Sequence, residues 1–393
     1  FGAHNYHPLP VVISKAKGCE MWDVEGKKYF DFLSGYSAVN QGHCHPAIIE
    51  ALVNQASKLT LTSRAFYNDQ LGGYEQYITN LLGFDKMLPM NSGAEAVETG
   101  IKLARRWAYS KKGIPENKAK IIVCAENFHG RTSTIVSFST DPSAYSKFGP
   151  FMPGFEVIPF NDLNALKEKL QDKHVAAFLF EPIQGEAGII LPDHGFLSSA
   201  RSLCSDANVL MIADEIQTGL CRTGKMLACE HENIKPDILL LGKALSGGTM
   251  PISAVLANDE VMLTIQPGEH GSTFGGNPLA SVVAIASLKA LVDENMAENA
   301  EKMGTLFREK LKSIHSEYIT DIRGKGLMNA IEINHPDPNA AWKLCENFME
   351  NGLLAKPTHG NKIRLTPPLT INEAQINEAV QIISKSLSVL DLI

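Results

Sequence analysis

The sequence predicts an α/β fold, a mostly parallel central sheet covered by helices on both faces, with a smaller α+β domain built from both chain ends. Three observations predict it. Short apolar, β-rich runs alternate with helical patterns through the middle of the chain. That alternation is the mark of strands joined by crossover helices. And 393 residues suffice for one large α/β unit or two domains with an ample core.

The elements follow in order. "GCEMWDVEGKKYFDF" reads as a small antiparallel hairpin turning at Glu25-Gly26. Helical patterns fall at 44–58, 70–82, 93–110, 162–170, 195–206, 278–293 and 296–313. Strands are expected at 120–124, 134–138, 155–159, 175–180, 208–213, 237–241 and 252–256. The tail closes in an α+β unit containing 321–333 and 363–365. Residues 44–280 are expected to form the large domain, and 1–43 with 281–393 the second.

Composition narrows the class. Hydrophobic residues make up 44% and charged residues 20%, as in ordinary globular enzymes. The net charge of -7 gives no support for a nucleic-acid or anionic-membrane role. No apolar run approaches the roughly 18 residues that span a bilayer. Seven cysteines, scattered and without a C-x-x-C pair, suit a reducing interior, cytoplasm or mitochondrial matrix. The chain begins at Phe1 rather than methionine, so the choice between them stays open.

Ligands of open parallel sheets sit at the carboxyl ends of the strands. Asp214 closes "NVLMIAD", Glu181 closes "VAAFLFE", and Lys243 follows "DILLLG" ahead of a glycine-rich turn. A buried aspartate needs a cationic partner, and a protonated pyridine nitrogen would serve. Ser92 caps the helix from 93, with Glu95 as its capping-box acid. The free N–H groups around Gly93 and Ala94 could hold a phosphate. Phe128 and His129 offer rings to a planar cofactor, and Arg131 a fork for a carboxylate. Lysine, acid, aromatic pair and phosphate-ready helix start together form a kit for pyridoxal 5'-phosphate.

Two motifs mislead when read alone. "GLCRTGKM" matches a phosphate-binding loop at Gly219, Gly224 and Lys225, but Met226 lacks the hydroxyl that binds Mg²⁺. "GHCHP" clusters His43, Cys44 and His45, yet adjacent residues rarely ligate one zinc.

Over nearly its full length the chain resembles the fold-type I, class III (subgroup II) aminotransferases. The resemblance rests on "VLMIADEIQTGLCRTGK" followed by "PDILLLGKALSGG", on "EPIQGEAG", on "HGSTFGGNPLA" and on "GHCHP". Within the family it is most similar to the branch acting on the δ-amino group of ornithine, through "AHNYHPLPVV", "FLSGYSAVNQGHCHP", "LTLTSRAFYND" and "NGLLAKPTHG". That branch often carries tryptophan where this chain has His129. "FHGRT" is the form common in the acetylornithine and 4-aminobutyrate branches.

The resemblance implies roles. Lys243 would be the Schiff-base lysine and proton shuttle, and Asp214 would pair with the pyridine nitrogen. Gln217 would lie near the phenolic oxygen, with Phe128 stacked on the ring and His129 beside it. Gly93 and Ala94, next to Ser92, would hold the phosphate. Thr273, with Ser272, would reach the cofactor of a neighbouring subunit, which makes a homodimer part of the expectation. Tyr6 and Arg131 would anchor the α-carboxylate of L-ornithine, and Tyr36 would shape the pocket for its α-amino group. Glu186 would mask Arg364 until 2-oxoglutarate arrives.

Overall fold

The computed structural model describes residues 1–393. Its strands, in chain order, are β1 (Ile13–Lys17), β2 (Glu20–Asp23), β3 (Lys28–Asp31), β4 (Lys86–Met90), β5 (Lys120–Cys124), β6 (Phe155–Ile158), β7 (Val175–Phe180) and β8 (Leu210–Asp214). Then come β9 (Ile238–Leu241), β10 (Ser253–Ala257), β11 (Ile319–Lys325), β12 (Met328–Ile333), β13 (Leu353–Leu354), β14 (Lys356–Thr358) and β15 (Lys362–Leu365). They form three sheets.

The central sheet has seven strands in the order β4-β10-β9-β8-β7-β5-β6. Strands β5 to β9 pair in parallel, and β10 runs against both its neighbours. Each face is covered, and side-chain parity shows how. In β7, Ala177 and Leu179 join the core beneath the helix Gly93–Trp107. Phe178 and Phe180 join the opposite core, with Phe196 and Ala200 of the helix Phe196–Asp206. Burial on both faces is why these runs are apolar throughout. No helix is long and apolar enough to cross a membrane.

The first small sheet is β1-β2-β3-β13. Its turn is held by Asp23 Oδ1, which accepts the N–H groups of Glu25 and Lys27, both at 2.9 Å. Strand β13 lies parallel to β3, so the two chain ends share a sheet. The second is β11-β12-β15-β14, all antiparallel.

Two elements in and beside the central sheet differ from the sequence reading in an instructive way. Residues 134–138, expected as a strand, contain the helical turn Ile135–Phe138. Both edges of β5 are already paired, with β6 and β7, so this run finds no ladder. It buries Ile135 and Phe138 under the helix Gly93–Trp107 instead. Conversely, β4 was not expected. Its sequence, KMLPM, contains Pro89, which cannot donate to a ladder and is tolerated because β4 is an edge strand.

Candidate active site

The carboxyl ends of β7, β8 and β9 converge on one cavity of about 210 Å³. Lys243 enters it just after β9. Gly242 is extended, and Lys243 itself has φ +43°. A lysine rarely adopts that region, and such outliers cluster at functional sites. Burial pushes the Lys243 amine below its ordinary value; the Arg364 charge adds to this, against Glu186 and Asp214. Its side chain spends no hydrogen bond on structure.

Asp214, at the end of β8, is 5% exposed. Its Oδ1 accepts the N–H of Ile216 at 3.1 Å, and its Oδ2 accepts His129 Nδ1–H at 2.7 Å. His129, expected as a ring beside the cofactor, lines this cavity and is also the hydrogen-bond partner of Asp214. Burial lowers the imidazole's proton affinity, but the bond to Asp214 and its charge outweigh that and raise it overall. His129 Nε2 is buried without a partner. Phe128 lines the same cavity, with the guanidinium of Arg131 5.6 Å from the centre of its ring.

Glu181, at the end of β7, accepts the N–H groups of Phe128 at 2.9 Å and Gly185 at 3.3 Å. Burial is the main force raising its carboxyl to about 7, with Asp214 adding and His129 opposing. The folded chain therefore binds this proton more tightly than the unfolded chain. Its contribution to stability is complete below about 4.5 and is lost as pH rises through about 7. Chemical denaturation of the cofactor-free protein should show the wild type losing a few kcal/mol relative to Glu181→Gln across that window. Parallel pH profiles for the two proteins would refute the assignment.

Glu186, which also lines the cavity, forms an ion pair with Arg364 of β15. Glu186 also accepts Gln217 Nε2–H at 3.2 Å. Burial raises the Glu186 carboxyl, but Arg364, Lys243 and these hydrogen bonds together hold it below its ordinary value. Arg364 Nε is buried without a partner, and the guanidinium lies 5.2 Å from the centre of the Tyr36 ring. Gln217 packs so tightly on Gly185 that a Cβ there would stand 1.8 Å from Gln217 Oε1. Tyr36 sits in a run of four positive-φ residues, Ser34 to Ser37. Asp31 accepts the N–H groups of Leu33 and Ser34, and Ser34 Oγ donates to Thr366 O at 2.6 Å.

Tyr6 and Arg131 line a neighbouring cavity of about 610 Å³ with Asn5, Ser133 and Phe148. Ser92 and Glu95 form the expected capping box. The N–H groups of Gly93 and Ala94, at the helix start, have no intrahelical acceptor and border the main cavity. Ser272 and Thr273 do not line that cavity within one chain.

These residues fit a phosphorylated pyridine aldehyde. An anion-ready helix start, an aromatic ring, a buried carboxylate and an unbonded lysine border one cavity, the set of groups such a molecule needs.

The two misleading motifs resolve into packing. His43 donates to Asp31 at 2.7 Å and His45 to Glu294 at 2.8 Å, so the pair serves two different carboxylates. In 219–226 a Cβ on Gly224 would stand 2.5 Å from Glu301 Oε2, which leaves no cradle for a phosphate. Arg222 of the same turn was missed. It is fully buried and donates to Asn40 Oδ1, Leu327 O and Pro367 O. The only signal was an arginine inside a glycine-flanked turn.

Comparison with known proteins agrees with this chemistry. The family model "Aminotransferase class-III" matches residues 1–387. The chain is 62% identical over 387 residues to "Ornithine aminotransferase, mitochondrial" of Rattus norvegicus, covering 98% of this chain and 88% of that one. A solved ornithine aminotransferase from Toxoplasma gondii, described with partial occupancy of PLP at its active site, superposes with a TM-score of 0.97. It is 49% identical, with 99% of this chain and 92% of that chain covered. A solved acetylornithine aminotransferase from Elizabethkingia anophelis superposes at 0.91, with 59% identity and coverage of 98% and 96%. By its sequence, its fold and this cavity, the chain belongs to the class-III aminotransferases, a family of pyridoxal 5'-phosphate enzymes.

Proposed function

We propose that the chain transfers the δ-amino group of L-ornithine to 2-oxoglutarate. The products would be glutamate 5-semialdehyde, which cyclises to pyrroline-5-carboxylate, and glutamate. The observation that carries the reading is the Glu186–Arg364 pair on the cavity wall. Ornithine presents a δ-carbon with no adjacent carboxylate, so a free arginine there would favour its wrong end. 2-Oxoglutarate presents a carboxylate beside the reacting carbon. Glu186 masks the cation for the first substrate, and the unpartnered Arg364 Nε stands ready for the second. Tyr6 and Arg131, in the adjoining cavity, suit the distant α-carboxylate of ornithine. Tyr36, against Arg364, leaves little room for an acyl group on the α-amine.

The cofactor, when bound, supplies an aldehyde that takes up the amino group and a protonated ring that accepts the electrons of a broken C–H bond. Gly93 and Ala94, beside Ser92, would hold its phosphate and Phe128 its ring face. Asp214 would keep its nitrogen protonated, and Gln217 would sit near its phenolic oxygen. Lys243 Nζ, whose proton affinity burial lowers, would take the proton from the substrate's δ-carbon and give it back. We also read residues 44–280 as the cofactor-binding domain, with 1–43 and 281–393 as the second. Two chains would form a homodimer in which Ser272 and Thr273 serve the partner's cofactor.

A second reading is transfer from N-acetylornithine. It is favoured by the 59% identity to the Elizabethkingia protein and by His129. The visible absorbance of the loaded enzyme decides. L-ornithine should bleach it and 2-oxoglutarate restore it. Bleaching by N-acetylornithine alone would move the substrate to the second reading. In Glu186→Gln, the ornithine half-reaction should slow by roughly 10–100-fold while the 2-oxoglutarate half changes little. Equal slowing of both halves would remove the masking role.

A further inference from the structure

The mechanism leaves one hydrogen-bonded chain unused, and it joins two places that the proposed dimer assigns to different active sites. We propose that Asn91 and His270 are positioning residues that fasten the loop 270–273, offered to the partner subunit's cofactor, to the helix that would hold this subunit's own. The inference rests on the reading that Ser272 and Thr273 cross to the partner.

At one end, Asn91 Nδ2 donates to Ser272 Oγ at 2.7 Å and to Glu95 Oε1 at 3.2 Å. Glu95 is the capping-box acid of the helix Gly93–Trp107 and also accepts the N–H groups of Asn91 at 3.0 Å and Ser92 at 2.7 Å. Ser272 Oγ accepts a second bond, from Gly275 N–H at 3.1 Å. Both its lone pairs are thus committed, and its hydroxyl proton has no acceptor within the chain. That proton suits an anionic oxygen arriving from outside.

At the other end, Lys102 Nζ lies 2.9 Å from His270 Nδ1 and Thr99 Oγ1 lies 2.8 Å from His270 Nε2. An ammonium can only donate, so Nδ1 accepts and the imidazole proton sits on Nε2. His270 then donates to Thr99, whose hydroxyl donates to Glu95 O at 2.7 Å. Burial and the Lys102 charge lower the proton affinity of His270, which keeps it in this neutral form. Glu95, Thr99 and Lys102 lie four and three apart on one stripe of the helix Gly93–Trp107, and Asn91 stands just ahead of its cap, Ser92.

Glu95 is the hub of both ends. A phosphate settling on Gly93 and Ala94 orders the first turn around Glu95, and through Asn91 it orders Ser272. Filling one cofactor site should therefore favour filling the other, and the coupling must be reciprocal.

The test is a titration of the cofactor-free dimer with pyridoxal 5'-phosphate, followed by circular dichroism in the cofactor's absorption band. The wild type should bind with a Hill coefficient above one. Thr273→Val and Asn91→Ala should each weaken binding roughly tenfold, and Asn91→Ala should bring the coefficient to one. The double variant should bind no more weakly than Thr273→Val alone, because Asn91 acts through the loop. His270→Ala should repeat the loss from the far end. His270→Gln should recover most of it, since an amide can accept from Lys102 and donate to Thr99. Independent, multiplying effects of Asn91→Ala and Thr273→Val would overturn the coupling, as would wild-type binding by both Asn91→Ala and His270→Ala. Wild-type binding by Thr273→Val would instead overturn the cross-subunit reading itself, and the coupling with it.

Discussion

Lys243→Ala should abolish transamination and leave the fold intact. The lysine amine makes no hydrogen bond in the structure, so its removal orphans nothing. Alanine replaces it at the same positive φ, so the backbone strain is unchanged. What disappears is the one lysine amine that lines the cavity, whose proton affinity burial lowers and to which the proposed reaction assigns the substrate's proton. The loss in kcat should be at least about 10²–10⁴-fold, the range of a positioned acid–base group. Steady-state rates and a thermal melt on the same preparation check both halves of the statement. Partial recovery of rate by an added small primary amine would locate the defect at the missing Nζ. A variant retaining a tenth of the wild-type rate would take Lys243 out of the chemistry.

Arg222→Met should have the largest effect on stability. The guanidinium is wholly inside the protein, and burial pushes it down to about 9. It contacts no carboxylate. It donates instead to Asn40 Oδ1 at 3.1 and 2.5 Å, to Leu327 O at 3.0 Å and to Pro367 O at 2.6 Å. Methionine fills the space and relieves the cost of burying a cation. It also leaves three buried acceptors short of a donor, at about 1–3 kcal/mol each. The second effect wins, and the melting temperature should fall by roughly 10 °C, at about 2–4 °C per kcal/mol. Asn40 follows the turn that carries Tyr36, and Pro367 follows Arg364, so KM should rise in the folded fraction. Arg222→Lys should recover little, because an ammonium cannot fork in two directions. An unchanged melting temperature for Arg222→Met would sink the argument.

What the sequence discloses depends on how local the cause is. Lys243 and Asp214 were legible because each closes a run of apolar residues, and the carboxyl end of a buried strand is where ligands bind. The capping box of Ser92 and Glu95 was legible because its partners lie three residues apart. The bond from His129 to Asp214 spans 85 positions, and no local pattern encodes it. The pull of Gly219, Gly224 and Lys225 toward a nucleotide loop hid Arg222, the residue of that turn that the packing uses. Residues 134–138 have strand composition, but their fate was set by occupied sheet edges elsewhere. Pro89 had the opposite effect, keeping an edge strand out of the sequence reading.

The sharing of one small sheet by both chain ends has a consequence for the order of folding. Phe32 N–H donates to Leu354 O, and Thr366 N–H to Phe32 O, both at 2.8 Å, across more than 300 residues. A growing chain on the ribosome can complete the turn that carries Tyr36 only after residues 354 and 366 have emerged. The central sheet has all its strands by Ala257 and can fold well before that. Closure of the substrate pocket is thus expected among the latest events, and it is the step most exposed to the entropy of a long loop. A chain released without its last forty residues would lack Arg364 and the partners of Phe32 and Ser34, while keeping every strand of the sheet that carries Lys243.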